Sequence, residues 1–239
     1  MKAEAQPGTV YLVGAGPGSV DLLTVRAYRL IPSASCILHD DLVSPDVLSL
    51  VAPSAIVRNV GKRCGKKLIT QEQINDWMVG YARDGQSVVR LKSGDPLLFG
   101  RAAEEIEALN TAAIPFEIVP GVSTGFAAAA FAAIPLTGRI TTSRVLFATR
   151  HKATGETSGL QGIRPDATLV LYMPGKDYAA ISEELSENGW PPETICLLAS
   201  AMGSTSAKIK QCRLADLAAI AALPSPVVML FTTDQRNAP

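Results

Sequence analysis

The chain has 239 residues, of which 47% are hydrophobic and 18% charged; this is enough apolar material to bury a sizeable core, and it excludes a disordered chain. The 22 basic and 22 acidic side chains give a formal net charge of +0, so no overall field favours nucleic acid or an anionic membrane surface. An anionic ligand must therefore be bound by a local group of basic residues.

The four cysteines and two histidines show neither metal-ligand spacing nor a disulfide framework. The longest apolar run, from Phe126 to Ile134, is far shorter than the roughly 18 residues of a membrane span. We expect a protein of the reducing cytosol with no metal site and no membrane or nucleic-acid partner.

In the first half of the chain, strand and helix patterns alternate, which predicts a mostly parallel α/β sheet. The predicted strands are 9–13, 56–59, 87–92 and 116–119, with a further strand that ends in the segment 36–41. The predicted helices are 21–31, 70–85, 104–109 and 124–133. Thr70 and Gln73 form a capping box at the start of the second helix. Ile74, Trp77 and Tyr81 fall on one face of this helix.

The second half continues this rhythm with less regular connections. Its predicted strands are 144–148, 168–172, 195–199, 207–212 and 227–231, and its predicted helices are 178–188 and 215–223. The two strands that flank Gly203 and Ser204 have no helix between them, so antiparallel pairing and a mixed sheet are expected. The fold class is α/β with two domains, residues 1–116 and 117–239.

Four turns follow predicted strands and are rich in glycine or polar residues: 14–19, 39–44, 93–96 and 120–124. Ligands of open α/β sheets bind beyond the carboxyl ends of the strands. One ligand site could therefore use all four turns.

The first turn has two interpretations. Gly14 and Gly16 after a strand, with Asp40 further on, resemble a dinucleotide-binding loop, but Ser19 replaces its third glycine and Pro17 removes a backbone N–H. The alternative is a tight turn in which the glycines satisfy the backbone geometry alone.

Two further features are open to a structural as well as a functional interpretation. Asp95 before Pro96 either contacts a ligand or caps a helix. The basic residues of 58–67 and a second basic set are either anion-binding or solvated. The second set comprises Arg139, Arg144, Arg150, His151 and Lys152.

These segments, in this order, resemble the tetrapyrrole (precorrin) methylases. The resemblance covers residues 8–232 and rests on the following sequences: Val13-Gly14-Ala15-Gly16-Pro17-Gly18, Asp21-Leu22-Leu23-Thr24, Asp40-Asp41-Leu42-Val43-Ser44, Gly61-Lys62-Arg63, Gln71-Glu72-Gln73-Ile74-Asn75, Arg90-Leu91-Lys92, Gly94-Asp95-Pro96, Phe99-Gly100-Arg101, Glu104-Glu105, Val119-Pro120-Gly121 and Ile134-Pro135-Leu136-Thr137.

The resemblance implies the two-domain class III methyltransferase fold, usually a homodimer, with S-adenosylmethionine (SAM) in the cleft between the halves and no metal. It implies two successive methyl transfers to carbons of uroporphyrinogen III, giving precorrin-2 and S-adenosylhomocysteine. Eight substrate carboxylates would require the basic residues.

The resemblance also implies roles for individual residues. Asp40 and Lys62 match a proton acceptor and a proton donor, and Arg101, Glu104 and Arg139 match residues of substrate handling or proton removal. The residues that match the cofactor site are Pro17, Ser93, Gly94, Asp95, Leu98, Ser123, Thr124, Met173 and Met202.

Three alternatives remain open at the level of sequence. His39 and Gly138 stand where tyrosine and histidine are usual in the family, which would suit a related methylase with another tetrapyrrole substrate or a non-catalytic binding protein of the same fold. The third alternative is a nucleotide-dependent oxidoreductase, which Pro17 and Ser19 disfavour.

Overall fold

The computed structural model describes residues 4–61, 69–139, 142–150, 159–202 and 207–234. By its internal contacts, the chain divides into two compact units, Met1–Ser123 and Thr124–Pro239. The predicted boundary after residue 116 falls at the start of a strand that pairs within the first sheet, so the division lies later in the chain.

The first unit is built on a parallel sheet of five strands, as the alternating pattern predicts. The strands are β1 (Val10–Gly14), β2 (Cys36–His39), β3 (Ile56–Asn59), β4 (Val88–Lys92) and β5 (Phe116–Val119), and their order across the sheet is β3-β2-β4-β1-β5. β1 and β4 are buried along their whole length. Since all the pairings are parallel, the carboxyl ends of the strands lie at one edge.

Helices pack against this sheet through their apolar faces. They are α1 (Val25–Leu30), α2 (Pro45–Leu48), α3 (Gln71–Arg83) and α4 (Ala102–Thr111). α3 begins at the predicted capping box: the Gln73 backbone N–H donates to Thr70 Oγ1 at 3.1 Å, and the Thr70 N–H donates to Gln73 Oε1 at 2.9 Å. Ile74 and Met78 of α3 are buried in the core on this side of the sheet.

The predicted helix 21–31 differs in detail, because it is broken into short pieces. A 3-10 turn at Val20–Leu22 comes first, α1 follows, and a second 3-10 turn occupies Ile31–Ser33. Pro32 ends the regular helix, because it has no N–H to donate to the preceding turn.

The second unit contains the predicted mixed sheet. Its strands are β6 (Val145–Thr149), β7 (Thr168–Tyr172), β8 (Ile195–Ser200), β9 (Lys208–Arg213) and β10 (Val227–Thr232), in the order β6-β7-β10-β8-β9. β8 and β9 pair antiparallel, as expected for two strands joined without a helix, whereas β6 and β7 are parallel. Its helices are α5 (Thr124–Phe131) and α6 (Tyr178–Glu187).

The predicted helix 215–223 is instead a 3-10 helix at Leu214–Ala219. Leu214 and Leu217 are its buried residues, and a spacing of three places both on one side of a 3-10 helix. They complete a core with α6 and β10.

Candidate functional site

Glycines bring the carboxyl-end turns of β1, β4 and β5 into direct backbone contact. The Gly94 N–H donates to the carbonyl oxygen of Gly16 at 2.8 Å, and the Gly16 N–H donates back at 3.2 Å. A Cβ added to Gly14 would lie 2.5 Å from Gly121 Cα, and one added to Gly121 would lie 2.2 Å from the Gly94 carbonyl oxygen. No side chain fits at Gly14 or Gly121, so close backbone approach explains these two glycines.

Asp95 fastens two of these turns together. Its Oδ1 accepts a hydrogen bond from the Leu97 N–H at 2.9 Å, and its Oδ2 accepts one from the Gly121 N–H at 3.0 Å. The alternative in which Asp95 caps a helix is wrong, because α4 begins only at Ala102 and its N-cap is Arg101. Each carboxylate oxygen retains a second lone pair for a ligand hydroxyl.

The turn after β2 joins the same edge. Ser44 Oγ donates to the carbonyl oxygen of Gly18 at 2.5 Å, and the Asp40 N–H donates to the carbonyl oxygen of Leu91 at 3.1 Å. The first unit therefore brings together the four turns that the sequence singled out.

Beneath this edge lies a group of four charged side chains, Asp40, Arg90, Lys92 and Glu105, called here the charge cluster. Arg90 donates through NH2 to Asp40 Oδ1 at 2.5 Å and through Nε to Glu105 Oε1 at 3.1 Å. Lys92 Nζ donates to Glu105 Oε2 at 2.7 Å. The cluster holds two cations and two anions in a nearly dry environment.

Exposure within the charge cluster is uneven. The side chains of Arg90, Lys92 and Glu105 are 3%, 2% and 0% exposed, whereas that of Asp40 is 31% exposed. Asp40 is therefore the member of the cluster that a ligand can reach.

Burial and charge shift the pKa values of the two cations in opposite directions. Burial lowers the pKa of Arg90, but the carboxylates of Asp40 and Glu105 outweigh this effect and leave that pKa raised. Burial, together with the charge of Arg90, lowers the pKa of Lys92 despite the opposing carboxylates. Arg90 is thus the permanent charge of the cluster.

The other predicted catalytic residues lie in different settings. Arg101 and Glu104 form an exposed ion pair at 2.9 Å, and Arg101 has a left-handed φ of 56°. Arg139 belongs to the second half of the chain and is exposed. Lys62 lies outside the described residues.

The predicted cofactor residues fall in both units. In the first unit, Pro17, Ser93, Gly94, Asp95 and Leu98 occupy the turns at the sheet edge, and Ser123 is a buried residue at the end of the unit. In the second unit, Thr124 begins α5. Met173 follows β7 with a left-handed φ of 48°, and Met202 is buried just after β8.

Several residues of the predicted basic sets are already engaged. Arg144 and Arg150 form ion pairs with Asp166 and Glu184. Arg58 stacks on Trp77, with 4.3 Å from its guanidinium carbon to the ring centroid. Of the remaining basic residues in the two sets, Arg139 is described. The others lie within 62–67 and 151–152, outside the described part of the chain.

Sequence reasoning assigned no role to Arg90, Lys92 or Glu105. The signal was available: Arg90 and Lys92 are two residues apart in an otherwise apolar strand and so share one face. Two buried cations on one face require a buried acid. Glu105 meets this need from the buried face of α4.

In the described ranges, no group of three or more His, Cys, Asp and Glu side chains could hold a metal ion. No helix among the described residues combines the length and apolar character needed to cross a membrane.

A parallel sheet with glycine-rich turns at its carboxyl edge, followed by a unit with a mixed sheet, defines a two-unit α/β protein whose turns lie where such sheets bind ligands. The sequence model of the Tetrapyrrole (Corrin/Porphyrin) Methylases matches residues 9–218. This chain belongs to that family.

Solved structures agree with this assignment. Uroporphyrin-III C-methyl transferase from Thermus thermophilus, complexed with S-adenyl homocysteine, matches with a TM-score of 0.82 and 33% identity over 94% of this chain and 97% of that one. A cobalamin biosynthetic enzyme, cobalt precorrin-4 methyltransferase, matches with a TM-score of 0.81 and 27% identity over 94% and 95% of the two chains. The class III methyltransferase fold is thereby confirmed.

Curated relatives are closer in sequence but longer. The S-adenosyl-L-methionine-dependent uroporphyrinogen III methyltransferase of Arabidopsis thaliana is 44% identical over 79% of this chain and 52% of its own length. Siroheme synthase 1 of Halorhodospira halophila is 46% identical over 79% of this chain and 40% of its own length. This chain thus spans about half of these relatives or less.

Proposed function

We propose that this chain transfers two methyl groups in succession from SAM to carbons of uroporphyrinogen III, giving precorrin-2 by way of precorrin-1. The observation that carries the proposal is the joining of four turns at one sheet edge, with the partly exposed Asp40 held by Arg90 beside them. Two of the similar proteins are methyltransferases named for uroporphyrinogen III or uroporphyrin III. Methyl transfer from SAM to such a tetrapyrrole is the reaction that we propose for this edge.

The residues at the edge fit a SAM molecule. The turns after β1 and β4 consist mostly of small residues, so a ligand can approach the backbone closely there. Asp95 offers lone pairs to ribose hydroxyls, and Leu97 and Leu98 provide apolar surface. We propose that Pro17, Ser93, Gly94, Asp95, Leu98 and Ser123 of the first unit and Thr124, Met173 and Met202 of the second bind the cofactor.

When bound, SAM supplies a methyl group that is already activated by its sulfonium, and the S–CH₃ electron pair stays on sulfur as the new C–C bond forms. The residues of the chain must align the acceptor carbon and exclude water. They must also accept the proton that the methylated ring releases.

Asp40 is the proposed proton acceptor, because it combines partial exposure with a fixed guanidinium partner. Glu104 remains a second candidate, although its carboxylate already pairs with Arg101 on the surface. Arg101 and Arg139 are proposed to bind substrate carboxylates, and Lys62 to act as proton donor. We further propose a cytosolic homodimer.

Calorimetry with SAM and with NAD⁺ tests the cofactor assignment. SAM should bind and NAD⁺ should not, because Pro17 and Ser19 remove features of a pyrophosphate turn. Binding of NAD⁺ without SAM would overturn the proposal. Turnover of later precorrins but not of uroporphyrinogen III would instead assign another substrate.

Asp95→Ala should weaken SAM binding by about tenfold, the order expected for the loss of one charged hydrogen-bond partner. Asp76→Ala, on an exposed position of α3, is the matched control and should leave the affinity unchanged. An unaltered SAM affinity in Asp95→Ala would mean that Asp95 only fastens the turns.

Arg101→Ala should reduce turnover while leaving SAM affinity nearly intact, because the proposed partner of Arg101 is the tetrapyrrole. The measurement is steady-state turnover alongside calorimetry. Loss of both properties would show that Arg101 supports the fold or the cofactor site.

A further inference from the structure

Three of the four charged side chains of the charge cluster, Arg90, Lys92 and Glu105, are buried, and burying a charge costs free energy unless it finds good partners. Glu105 is the anion that partners both buried cations, Arg90 and Lys92. Its Oε1 accepts from Arg90 Nε at 3.1 Å and from Gln71 Nε2 at 3.4 Å, and its Oε2 accepts from Lys92 Nζ at 2.7 Å. Both oxygens of a fully buried carboxylate are therefore committed to neighbours.

Glu105 and Asp40 bind different nitrogens of one guanidinium group. Glu105 takes Nε of Arg90, and Asp40 takes NH2 at 2.5 Å. The Arg90 NH1 group donates to the carbonyl oxygen of Leu91 at 3.0 Å. Since the guanidinium is planar and rigid, fixing Nε and NH1 also fixes the direction in which NH2 faces Asp40.

We propose that Glu105 is a positioning residue of the proposed methyl-transfer site: it orients Arg90, and through Arg90 it holds the Asp40 carboxylate in its productive place. This inference rests on the proposed function, in which Asp40 accepts a proton. Glu105 itself touches no substrate, because it is 0% exposed.

Glu105 also keeps the surroundings of Asp40 electrically balanced. Without its charge, the two buried cations would face the single carboxylate of Asp40. Arg90 would then lose its second carboxylate partner, and Lys92 would be buried without a counterion. By also pairing with Lys92, Glu105 leaves Arg90 as the cation that pairs with Asp40.

The test uses Glu105→Gln in the full chain, with kcat and KM for uroporphyrinogen III and the Kd for SAM as measured quantities. A glutamine has one acceptor oxygen in place of two, so either Arg90 Nε or Lys92 Nζ would face an NH₂ group, which donates and cannot accept. We expect kcat to fall about 10- to 100-fold, the range for a misplaced catalytic group, with the Kd for SAM within about twofold. Glu107→Gln, exposed on the same helix, is the control and should match the wild type.

A double-mutant cycle separates positioning from general support of the fold. If Glu105 acts through Asp40, Asp40→Asn combined with Glu105→Gln should be no slower than Asp40→Asn alone. Reductions in kcat that multiply would overturn the proposal.

Glu105→Gln could unfold the chain by leaving Lys92 unpaired. The combined variant Glu105→Gln with Lys92→Gln removes one anion and one cation and so keeps the cluster neutral. The proposal expects its kcat to stay low, because Arg90 still lacks its buried carboxylate. A kcat restored to the wild-type value would mean that charge balance alone matters, and would overturn the proposal.

A crystal structure of the neutral variant distinguishes failure of this inference from failure of the proposed function. If the wild type shows no methyl transfer, the proposed function fails, yet the positioning claim still predicts that Asp40 loses its hydrogen bond to Arg90 in the variant. An unchanged contact between Arg90 and Asp40 would contradict it.

Discussion

At the scale of single residues, the ion pair of Arg26 and Glu117 in the first unit lies outside the charge cluster and is partly hydrated. Arg26 of α1 donates through Nε and NH2 to the two carboxylate oxygens of Glu117 on β5, at 2.9 and 2.6 Å. The hydrogen bond from Arg26 lowers the pKa of Glu117, while burial opposes it. The pair thus ties a helix to an edge strand of the sheet.

Glu117→Gln should reduce the free energy of unfolding at pH 7 by about 0.5–1 kcal/mol, because solvent partly screens this pair, whose side chains are 16% and 30% exposed. A carboxyl whose pKa is lowered on folding stabilises above its unfolded pKa of about 4.3 and loses this effect as the pH falls through the folded pKa. The difference between wild type and variant, measured by urea unfolding, should therefore shrink below about pH 5. A difference that grows in acid would contradict this account of the pair.

The pKa values of the described cysteines are shifted in different directions. A hydrogen bond with Cys196 on the neighbouring strand lowers the pKa of Cys212. Burial raises the pKa of Cys196, and it raises the pKa of Cys36 to about 11. Because the thiolate is the reactive form, Cys212 should carry most of the thiolate among these three.

Alkylation of the native protein with iodoacetamide at pH 7, followed by peptide mass analysis, should label Cys212 well before Cys36 and Cys196. Cys196→Ala should slow the labelling of Cys212, since it removes the thiol whose hydrogen bond lowers the pKa of Cys212. Equal labelling of Cys36 and Cys212 would show that the shift is absent.

At the scale of elements, the turns after β1, β4 and β5 pack so closely that an added side chain would clash with the neighbouring backbone. Gly121→Ala places a methyl group 2.2 Å from the Gly94 carbonyl oxygen and 2.8 Å from Gly14 Cα. Both neighbours are backbone atoms, so neither can move without shifting a strand end.

We expect Gly121→Ala to destabilise the protein by about 3 kcal/mol, at the upper end of overpacking costs, and to weaken SAM binding. Gly80→Ala is the matched control: Gly80 lies within α3 with nothing within 4 Å of an added Cβ, so this change should stabilise by about 1 kcal/mol. Thermal unfolding measures both. A Gly121→Ala variant as stable as the wild type would show that the turns do not touch.

The predictable elements were those with a local signal. The capping box of Thr70 and Gln73 fixed the start of α3, and the strands 56–59, 116–119 and 168–172 were predicted with their observed bounds. The start of α4 was not predictable in this way. Arg101 adopts a left-handed conformation before it, and no side-chain hydrogen bond caps it. Tertiary packing of Ala102 and Glu105 sets that boundary instead.

At the scale of the whole molecule, the formal net charge is +0, and several basic side chains form ion pairs with nearby carboxylates. The sequence indicated basic residues for an anionic ligand, yet Arg144 and Arg150 pair with carboxylates within the second unit. The edge of the first unit at which the turns meet could be predicted, because parallel strands end together. For the charge cluster, the sequence indicates two buried cations on β4 but not which acids pair with them, because those acids come from β2 and α4, far apart in sequence.

Anaerobic incubation of the full chain with SAM and uroporphyrinogen III tests the central claim most directly. We predict that two molecules of S-adenosylhomocysteine form per tetrapyrrole, that the product gains the mass of two methyl groups, and that Asp40→Asn lowers turnover without abolishing SAM binding. Tight binding of SAM with no methyl transfer by the wild-type chain would contradict the account.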